Sequence, residues 1–314
     1  MRIKKNIISL YEKVYSSNLM LSIKWKLEHI NNYVDILNSE DTLKYIIDTK
    51  SSISRFGDGE FELILGLNNN LGFQNNSQEL SKRLKEVLIK DNENILICIP
   101  HSFNSFKGRT NHSRKFWYNW GKRNNHYSEI INIIKDNHKE SYIFGDSQIT
   151  RPYIAYNTDK NATKIFKKFK KIWEDRNLLI VEGEKTRLGV GNDLFDNANS
   201  IKRILAPAVN AFAYYDEILE AVCSIYEDEL VLIALGPTAT ILASDLADKG
   251  YWAIDLGHID IEYEWYLNKS KQHNLIQGKF TNEAESGNIV SDVNDSKYMD
   301  SIILKIGGKD GEVK

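Results

Sequence analysis

The segment from Arg55 to Phe61 (Arg-Phe-Gly-Asp-Gly-Glu-Phe) places two carboxylates one residue apart, each directly after a glycine. A short strand is predicted before it and a helix after it, and glycines at such a turn let the backbone approach a ligand. Asp58 and Glu60 would offer hard oxygen ligands to a divalent cation, which would neutralise a diphosphate. The alternative is a surface turn whose acidic residues favour a helix N-terminus.

Composition narrows the class of protein. Of the 314 residues, 42% are hydrophobic and 27% are charged, which is typical of a globular chain with a sizeable core. The formal net charge of −2 gives no overall basic field, which argues against a nucleic acid partner. Cys98 and Cys223 lie in apolar surroundings, so we expect reduced thiols in a cytoplasmic protein. No apolar run approaches the length of a membrane span.

Residues 1–40 are predicted to form an N-terminal helical segment, and residues 41–314 the main domain. Charged and polar residues interrupt the apolar stretch at the start, unlike a signal peptide. The basic residues of this segment offer peripheral contact with the inner membrane surface. Those residues are Arg2, Lys4, Lys5 and Lys13. Packing of the helix on the main domain is the favoured interpretation.

Short apolar runs alternate with helical patterns along the rest of the chain. Strands are predicted at residues 53–56, 95–99, 142–144, 178–181, 201–205, 230–235 and 252–256, and helices at 78–90, 128–137, 162–175, 214–225 and 238–249. Residues 283–295 are expected to form a mobile loop and 298–306 a last helix. The alternation predicts an α/β fold with a doubly wound, mostly parallel sheet and helices on both faces. Ligands bind at the carboxyl ends of the strands in such sheets.

The strand predicted at 230–235 runs directly into Gly236, Pro237 and Thr238. Pro237 is a favoured helix-start residue and Thr238 suits an N-cap. The free N–H groups at such a helix start form a natural phosphate site, although a capped helix with no ligand explains the residues equally well.

A dense acidic cluster with a histidine follows Gly257, just beyond the next strand. In an extended chain His258, Asp260 and Glu262 would share one face, whereas in a helix Asp260 and Glu264 would be neighbours. Either arrangement could supply a general base or a further metal ligand. The alternative is a solvated acidic face.

Polar residues also follow two other predicted strands. Asp146 and Arg151 lie in one of these loops, and Arg187, which suits a phosphate or carboxylate partner, lies in the other. Earlier in the chain, Trp117 and Trp120 either line an acceptor groove or, as is commoner, pack within a helix.

Taken in order, these motifs resemble the glycosyltransferases of the GT-D fold. They are the Arg55–Phe61 segment, Gly145-Asp146-Ser147 with Thr150-Arg151-Pro152-Tyr153, Glu182-Gly183-Glu184 with Arg187-Leu188-Gly189-Val190-Gly191-Asn192-Asp193, and Leu235-Gly236-Pro237-Thr238 with the segment from Gly257 to Trp265. The resemblance covers about residues 40–306. It implies a Rossmann-like single domain, a UDP-sugar donor, typically UDP-glucose, and Mn²⁺ (or Mg²⁺) at the Asp-x-Glu pair, here Asp58 and Glu60. Members act in bacterial adhesin glycosylation or surface polysaccharide assembly, with a glycan or glycoprotein acceptor.

The interpretation assigns roles to particular residues. The donor nucleotide sugar is expected to contact Arg55, Phe56, Gly57, Gly59, Asp146, Arg151, Arg187, Gly236, Pro237 and Thr238. One of His258, Asp260 and Glu262 is expected to act on the acceptor hydroxyl. Two other classes stay open: a metal-dependent phosphoesterase or nucleotide-sugar hydrolase, and a non-catalytic protein that binds nucleotide sugars.

Overall fold

The computed structural model of the chain describes residues 18–30, 32–67, 70–287, 289–291 and 294–307. The strands of this part are β1 (Asp35–Ile36), β2 (Ser52–Arg55), β3 (Ile95–Ile99), β4 (Ile143–Asp146), β5 (Asn177–Gly183), β6 (Ser200–Ala206), β7 (Leu230–Ala234), β8 (Ala253–Asp255) and β9 (Ile302–Lys305). The α-helices are α1 (Asn18–Glu28), α2 (Ser39–Thr49), α3 (Asp58–Ile64), α4 (Gln78–Leu88), α5 (Asn111–Lys122), α6 (His126–Asn137), α7 (Asp159–Trp173), α8 (Tyr215–Ile225), α9 (Pro237–Asp248), α10 (Ile259–Leu267) and α11 (Ser296–Ser301). Short 3-10 helices lie at His101–Phe103, Arg123–Asn125, Ser147–Thr150 and Ala211–Tyr214.

The described strands form one sheet in the order β1-β4-β3-β2-β8-β7-β5-β6-β9, and each neighbouring pair is parallel. The predicted α/β fold is therefore confirmed. From β2 the chain adds β3 and β4 on one side, whereas β8 and β7 lie on the other side of β2. Adjacent strands whose connections leave in opposite directions open a crevice at their carboxyl ends.

Residues of β3 show how the sheet is covered on both faces. Ile95, Ile97 and Ile99 belong to one hydrophobic cluster, and Leu96 and Cys98 belong to another. Successive side chains of a strand point to opposite faces, so each cluster lies under a separate helical layer. This continuous burial explains why the strand is apolar at every position.

Helix α9 packs closely on the two central strands. Ala239, Ala243 and Ala247 are fully buried at intervals of four residues, so that one face of the helix carries only small side chains. The Ser54 hydroxyl donates to the Thr240 carbonyl at 2.6 Å. These contacts fix the start of α9 beside the carboxyl end of β2.

The predicted interior elements occur, whereas the edges of the sheet differ from the prediction. Strands β1 and β9 were not predicted, and the helix predicted at 298–306 ends at Ser301 and continues as β9. Ile302 and the residues after it pair with β6, where branched side chains are favoured. The six apolar residues between 298 and 306 fit both the helical period of 3.6 and the strand period of 2. The pattern alone therefore did not separate helix from strand.

Helix α1 is fixed to the rest of the fold by Trp25, whose side chain is 2% exposed. Its indole N–H donates to the Phe103 carbonyl at 2.9 Å. A Cβ on Gly121 of α5 would lie 2.4 Å from the Trp25 ring, so only glycine allows this approach. In its described part the N-terminal segment packs on the main domain; residues 1–17, with much of its predicted helical pattern, lie outside the described residues.

No helix within the described residues is both long enough and apolar enough to cross a lipid bilayer.

We expect Trp25→Ala to lower the free energy of unfolding by about 3–5 kcal/mol, because it removes a buried aromatic ring and leaves a cavity. Urea denaturation followed by circular dichroism measures the change. Ile23→Ala on the same helix is the control: this side chain is 44% exposed, so its loss should change stability by less than about 0.5 kcal/mol. Equal effects of the two substitutions would contradict the anchoring role of Trp25.

Candidate active site

A cavity of about 780 Å³ opens at the carboxyl ends of the central strands. Many of the residues singled out in the sequence line it. They are Arg55, Phe56, Gly57, Asp58, Gly59, Glu60, Arg151, Gly236, His258 and Glu262. Its walls come from α5 and from the loops that follow β4, β5, β6 and α10. The strand-end rule therefore brought together residues that lie more than 200 positions apart in the sequence.

Asp58 and Glu60 lie at the start of α3, and both are half-buried at the cavity wall. The Gly57 N–H donates to Glu60 Oε2 at 2.8 Å, which fixes that carboxylate beside the helix start. Burial raises the pKa of Glu60 to about 7, against the effect of this hydrogen bond. Burial also raises the pKa of Asp58, although the charge of Arg151 opposes the shift.

The donor chemistry of Asp58 and Glu60 fits a hard divalent cation. The described residues contain no group of three or more His, Cys, Asp or Glu side chains arranged to hold an ion. An ion here would therefore complete its coordination with water and with ligand oxygens, as Mg²⁺ commonly does at sites that bind phosphates. A positive charge beside both carboxylates would favour their ionised forms.

Arg55 joins the ends of three strands. Its Nη2 donates to Asp255 Oδ1 at 2.8 Å and its Nε to the Asp255 carbonyl at 2.8 Å, which links β2 to β8. Its Nη1 donates to the Thr150 hydroxyl at 2.7 Å, in the turn that follows β4. The guanidinium lines the cavity, but most of its donors are used to hold the cavity floor together.

Gly257 allows Arg55 to reach this position. The φ angle of Gly257 is +46°, in the region that favours glycine, and a Cβ there would lie 1.9 Å from Arg55 Nη2. The glycine before the acidic cluster is therefore required by packing as well as by backbone conformation.

Arg151, His258 and Glu283 form a compact cluster at the cavity. Arg151 Nη2 donates to Glu283 Oε1 at 2.7 Å and to His258 Nδ1 at 3.0 Å. Since a guanidinium only donates, Nδ1 accepts, and Nε2 lies 3.1 Å from Glu283 Oε1. Both ring nitrogens of His258 are thus engaged within the protein.

The environment of Glu283 keeps its carboxylate ionised. Burial acts to raise the pKa, but His258 and Arg151 together outweigh burial and bring the pKa of Glu283 well below its usual range. Its Oε2 atom is buried with no hydrogen-bond partner among the described residues. Glu283 therefore ties the loop after α10 to the cavity wall.

Glu262 lies in the first turn of α10 and reaches the cavity. Its Oε2 accepts hydrogen bonds from the backbone N–H groups of Tyr153 at 2.9 Å and Ile154 at 3.1 Å. Burial raises the pKa of Glu262 to about 7, even though Arg151 and these N–H groups favour the ionised form. A carboxyl group with a pKa near neutrality can both take and give a proton.

Asp260 points away from the cavity, unlike Glu262 two residues later. It accepts hydrogen bonds from the Gly189 N–H at 2.9 Å and from Lys279 Nζ at 2.7 Å. Lys279 also lies 3.0 Å from Glu264 Oε1, so the helical interpretation of this segment was the right one. Helix α10 therefore directs Asp260 and Glu264 away from the side that carries Glu262. Asp260 connects the loop that contains Gly189 with the loop that contains Lys279.

Asp146 and Arg187 also lie outside the cavity lining, although both were predicted to contact the donor. Asp146 is buried and accepts a hydrogen bond from the Ser39 hydroxyl at 2.6 Å. Arg187 Nη1 donates to the carbonyls of Gly278 at 2.7 Å and Ser291 at 2.8 Å. Both side chains connect loops around the site.

The start of α9 differs by two residues from the prediction. Gly236, with φ +56°, occupies the N-cap and lines the cavity, whereas Pro237 is the first helical residue. Thr238 is therefore not the cap; it is fully buried, and its hydroxyl has no partner among the described residues. A Cβ on Gly236 would lie 2.4 Å from the Phe73 ring, which covers this turn.

Several cavity residues were not predicted from the sequence. Glu283 lies in a segment interpreted as a mobile loop, and no local pattern distinguishes it. Phe116 and Trp117 of α5 line the cavity, and Trp117 is also buried in the hydrophobic core, as its packing alternative predicted. Trp120 instead is buried and its indole N–H donates to Glu62 at 3.2 Å.

The parallel sheet formed by the described strands agrees with the comparisons with known proteins. The model of the family described as "Glycosyltransferase GT-D fold" matches residues 53–284. The chain belongs to this family, which confirms the resemblance noted in the sequence.

Two curated relatives come from streptococci. "Glycosyltransferase GlyD" of Streptococcus pneumoniae serotype 4 is 33% identical over 296 residues, which cover 94% of this chain and 35% of GlyD. "Probable glycosyl transferase Gly" of Streptococcus gordonii is 35% identical over 274 residues, which cover 87% of this chain and 39% of Gly. The chain thus spans little more than a third of the length of these relatives.

Solved structures show the same fold. A structure of the domain of unknown function 1792, described as having a distinct glycosyltransferase fold, aligns with a TM-score of 0.81 and 38% identity over 88% of this chain and 97% of that chain. A glycosyltransferase of the same domain type from Streptococcus sanguinis aligns with a TM-score of 0.79 and 34% identity, over 88% of this chain and 100% of its own.

We expect Gly257→Ala to destabilise the protein by about 3 kcal/mol or more, because the new methyl group displaces Arg55 from its buried partner Asp255. Gly250→Ala is the matched control, since Gly250 also has a positive φ (+82°) but has open space around the position of a Cβ. The control should show only the backbone strain, about 1 kcal/mol. Urea denaturation compares the two variants, and equal losses would contradict the steric argument.

Proposed function

We propose that this chain is a metal-dependent glycosyltransferase that moves a hexose, with glucose as the expected sugar, from a UDP-sugar to a glycan or glycoprotein acceptor. The setting would be bacterial surface polysaccharide assembly or adhesin glycosylation. The observation that carries the proposal is the shared cavity: the Asp58 and Glu60 carboxylates, the start of α9 at Gly236 and the Glu262 carboxyl group all line it. Membership of the family supports the reaction class.

The donor diphosphate would bind between the start of α3 and the start of α9. Asp58 and Glu60 would hold the Mn²⁺ or Mg²⁺ ion, which when bound would neutralise charge on the diphosphate. The Thr238 N–H would face the phosphate oxygens, where a helix dipole favours negative charge. Pro237 has no N–H, and the Ala239 N–H donates to the Gly236 carbonyl. Phe73, which packs over Gly236 at the cavity, would limit how far the diphosphate can move.

Glu262 would act as the general base. It would take the proton of the acceptor hydroxyl while the acceptor oxygen bonds to C1 of the sugar, and the bond from C1 to the diphosphate oxygen would break to release UDP. The two backbone N–H groups on Oε2 fix the orientation of the carboxyl group. Of the three predicted candidates, Asp260 is engaged by Lys279, and His258 has both ring nitrogens engaged.

A cytoplasmic setting is part of the proposal. Cys98 is buried and Cys223 is half-buried, and both are free thiols. Free thiols are typical of chains kept in a reducing compartment.

We expect Asp58→Asn and Glu60→Gln to abolish the metal-dependent binding of UDP-glucose, because each removes an oxygen charge that would hold the cation. The measurement is the melting temperature with UDP-glucose and other UDP-sugars, with and without Mn²⁺; a ligand that binds the native state raises it. Glu184→Gln is the control, since Glu184 is an exposed acid at the end of β5 outside the cavity lining.

A metal-dependent shift that survives in both site variants would contradict the metal role of this pair. No shift for the wild-type chain with any UDP-sugar would contradict the donor class. Release of free sugar at a rate that no acceptor increases would favour the nucleotide-sugar hydrolase alternative.

We expect Glu262→Gln to lower kcat for transfer by about 10²–10⁴-fold, because the amide cannot take the acceptor proton. Donor binding should stay within about twofold of the wild-type value, since the side chain acts after the donor has bound. Glu264→Gln, on the same helix but directed at Lys279, should keep normal turnover. Steady-state transfer assays and donor titrations separate the two effects, and unchanged turnover in Glu262→Gln would rule out this base.

A further inference from the structure

Helix α1 presents apolar side chains to solvent on the side opposite its anchor. Ile23 and Leu27 lie one helical turn apart and are 44% and 66% exposed, and Ile30, in the turn that follows the helix, is 63% exposed. Tyr33 adds a further exposed ring, at 60%. Scattered single apolar residues are normal on protein surfaces, but four large exposed ones between residues 23 and 33 indicate a contact surface.

The same part of the chain is strongly basic. Residues 1–34 contain six Lys or Arg and two Glu, a formal net charge of +4, whereas the whole chain has a net charge of −2. Lys26 is exposed on α1 next to Leu27. The exposed apolar group therefore lies within the positively charged end of an otherwise acidic molecule.

We propose that the surface formed by Ile23, Leu27, Ile30 and Tyr33 docks on a membrane that contains anionic lipid. Apolar side chains would enter the boundary between headgroups and acyl chains, and Lys26, with the other basic residues of this part of the sequence, would contact the headgroups. Neither contribution binds stably alone, and peripheral membrane attachment generally needs two such signals. A tyrosine at the edge of the surface suits the interface, where its ring and its hydroxyl meet different environments.

Charge favours a lipid surface over a second copy of the chain. A symmetric dimer through α1 would bring two copies of the same basic segment face to face, and like charges at an interface oppose association. An anionic bilayer provides the opposite charge together with an apolar layer at the depth of the exposed side chains.

Docking through α1 would also orient the cavity. Trp25 packs α1 against Gly121 of α5, and α5 carries Phe116 and Trp117 to the cavity wall. One helix, about 10 Å across, would separate that wall from the lipid. If the proposed function holds, the acceptor would be one that is presented at a membrane surface; the docking itself does not depend on that function.

The test is flotation of the 314-residue chain with vesicles of phosphatidylcholine alone and of phosphatidylcholine with about 30% phosphatidylglycerol, at low and high salt. The wild-type chain should float with the anionic vesicles at low salt only. In the triple variant Ile23→Ser, Leu27→Ser, Ile30→Ser, the fraction bound to anionic vesicles should fall at least about five-fold, because only the attraction of the basic residues to the headgroups remains. Leu267→Ser with Met299→Ser is the matched control: these side chains are 46% and 47% exposed elsewhere, and binding should not change.

Three results would overturn the proposal. The wild-type chain would remain unbound to anionic vesicles, or the triple variant would bind as well as the wild type. Alternatively, light scattering would show a dimer that the triple variant abolishes, which would make α1 a protein interface. Melting temperatures of all variants confirm that they are folded, and UDP-sugar binding by the triple variant separates a failure of docking from a failure of the proposed function.

Discussion

The ion pair between Arg55 and Asp255 is the contact on which the rest of the site depends. It joins the ends of the two central strands, and its side chains are only 14% and 3% exposed. Removing one partner of a buried pair leaves an uncompensated charge, a loss of about 3–5 kcal/mol. The Asp-x-Glu turn follows Arg55 directly and the α10 acids follow Asp255, so this pair sets the distance between the two halves of the cavity. Gly257 makes the approach sterically feasible.

The carboxyl groups of the cavity differ in what their neighbours allow them to do. Asp255 and Glu283 are each held in an ion pair with an arginine. Burial raises the pKa of Asp58, Glu60 and Glu262, so these three are the groups that a cation or a proton would stabilise most. One edge of the sheet thus combines carboxylates held by arginines with carboxyl groups whose pKa is raised by burial, and the difference lies in their partners.

The sequence predicted the seven interior strands and most of the cavity floor, because parallel strands buried on both faces are apolar throughout and their carboxyl ends meet at one edge. It did not separate Glu262 from Asp260, since that separation depends on where α10 begins and on Lys279, nineteen residues later. Glu283 was missed because its partners are distant in sequence and its own segment has no pattern. Short edge strands give too few residues for a period to show.

Helix α5 contacts both the N-terminal helix α1 and the cavity. Gly121 receives the Trp25 ring, which leaves the apolar residues of α1 exposed. About one turn earlier on the same helix, Phe116, 41% exposed, and Trp117 form an aromatic wall of the cavity. Polar groups are concentrated at the strand ends, where a charged donor would bind, whereas this wall offers flat apolar faces of the kind that suit sugar rings. The helix that holds α1 therefore also carries the aromatic wall, whereas the carboxylate floor is fixed separately by the Arg55–Asp255 pair.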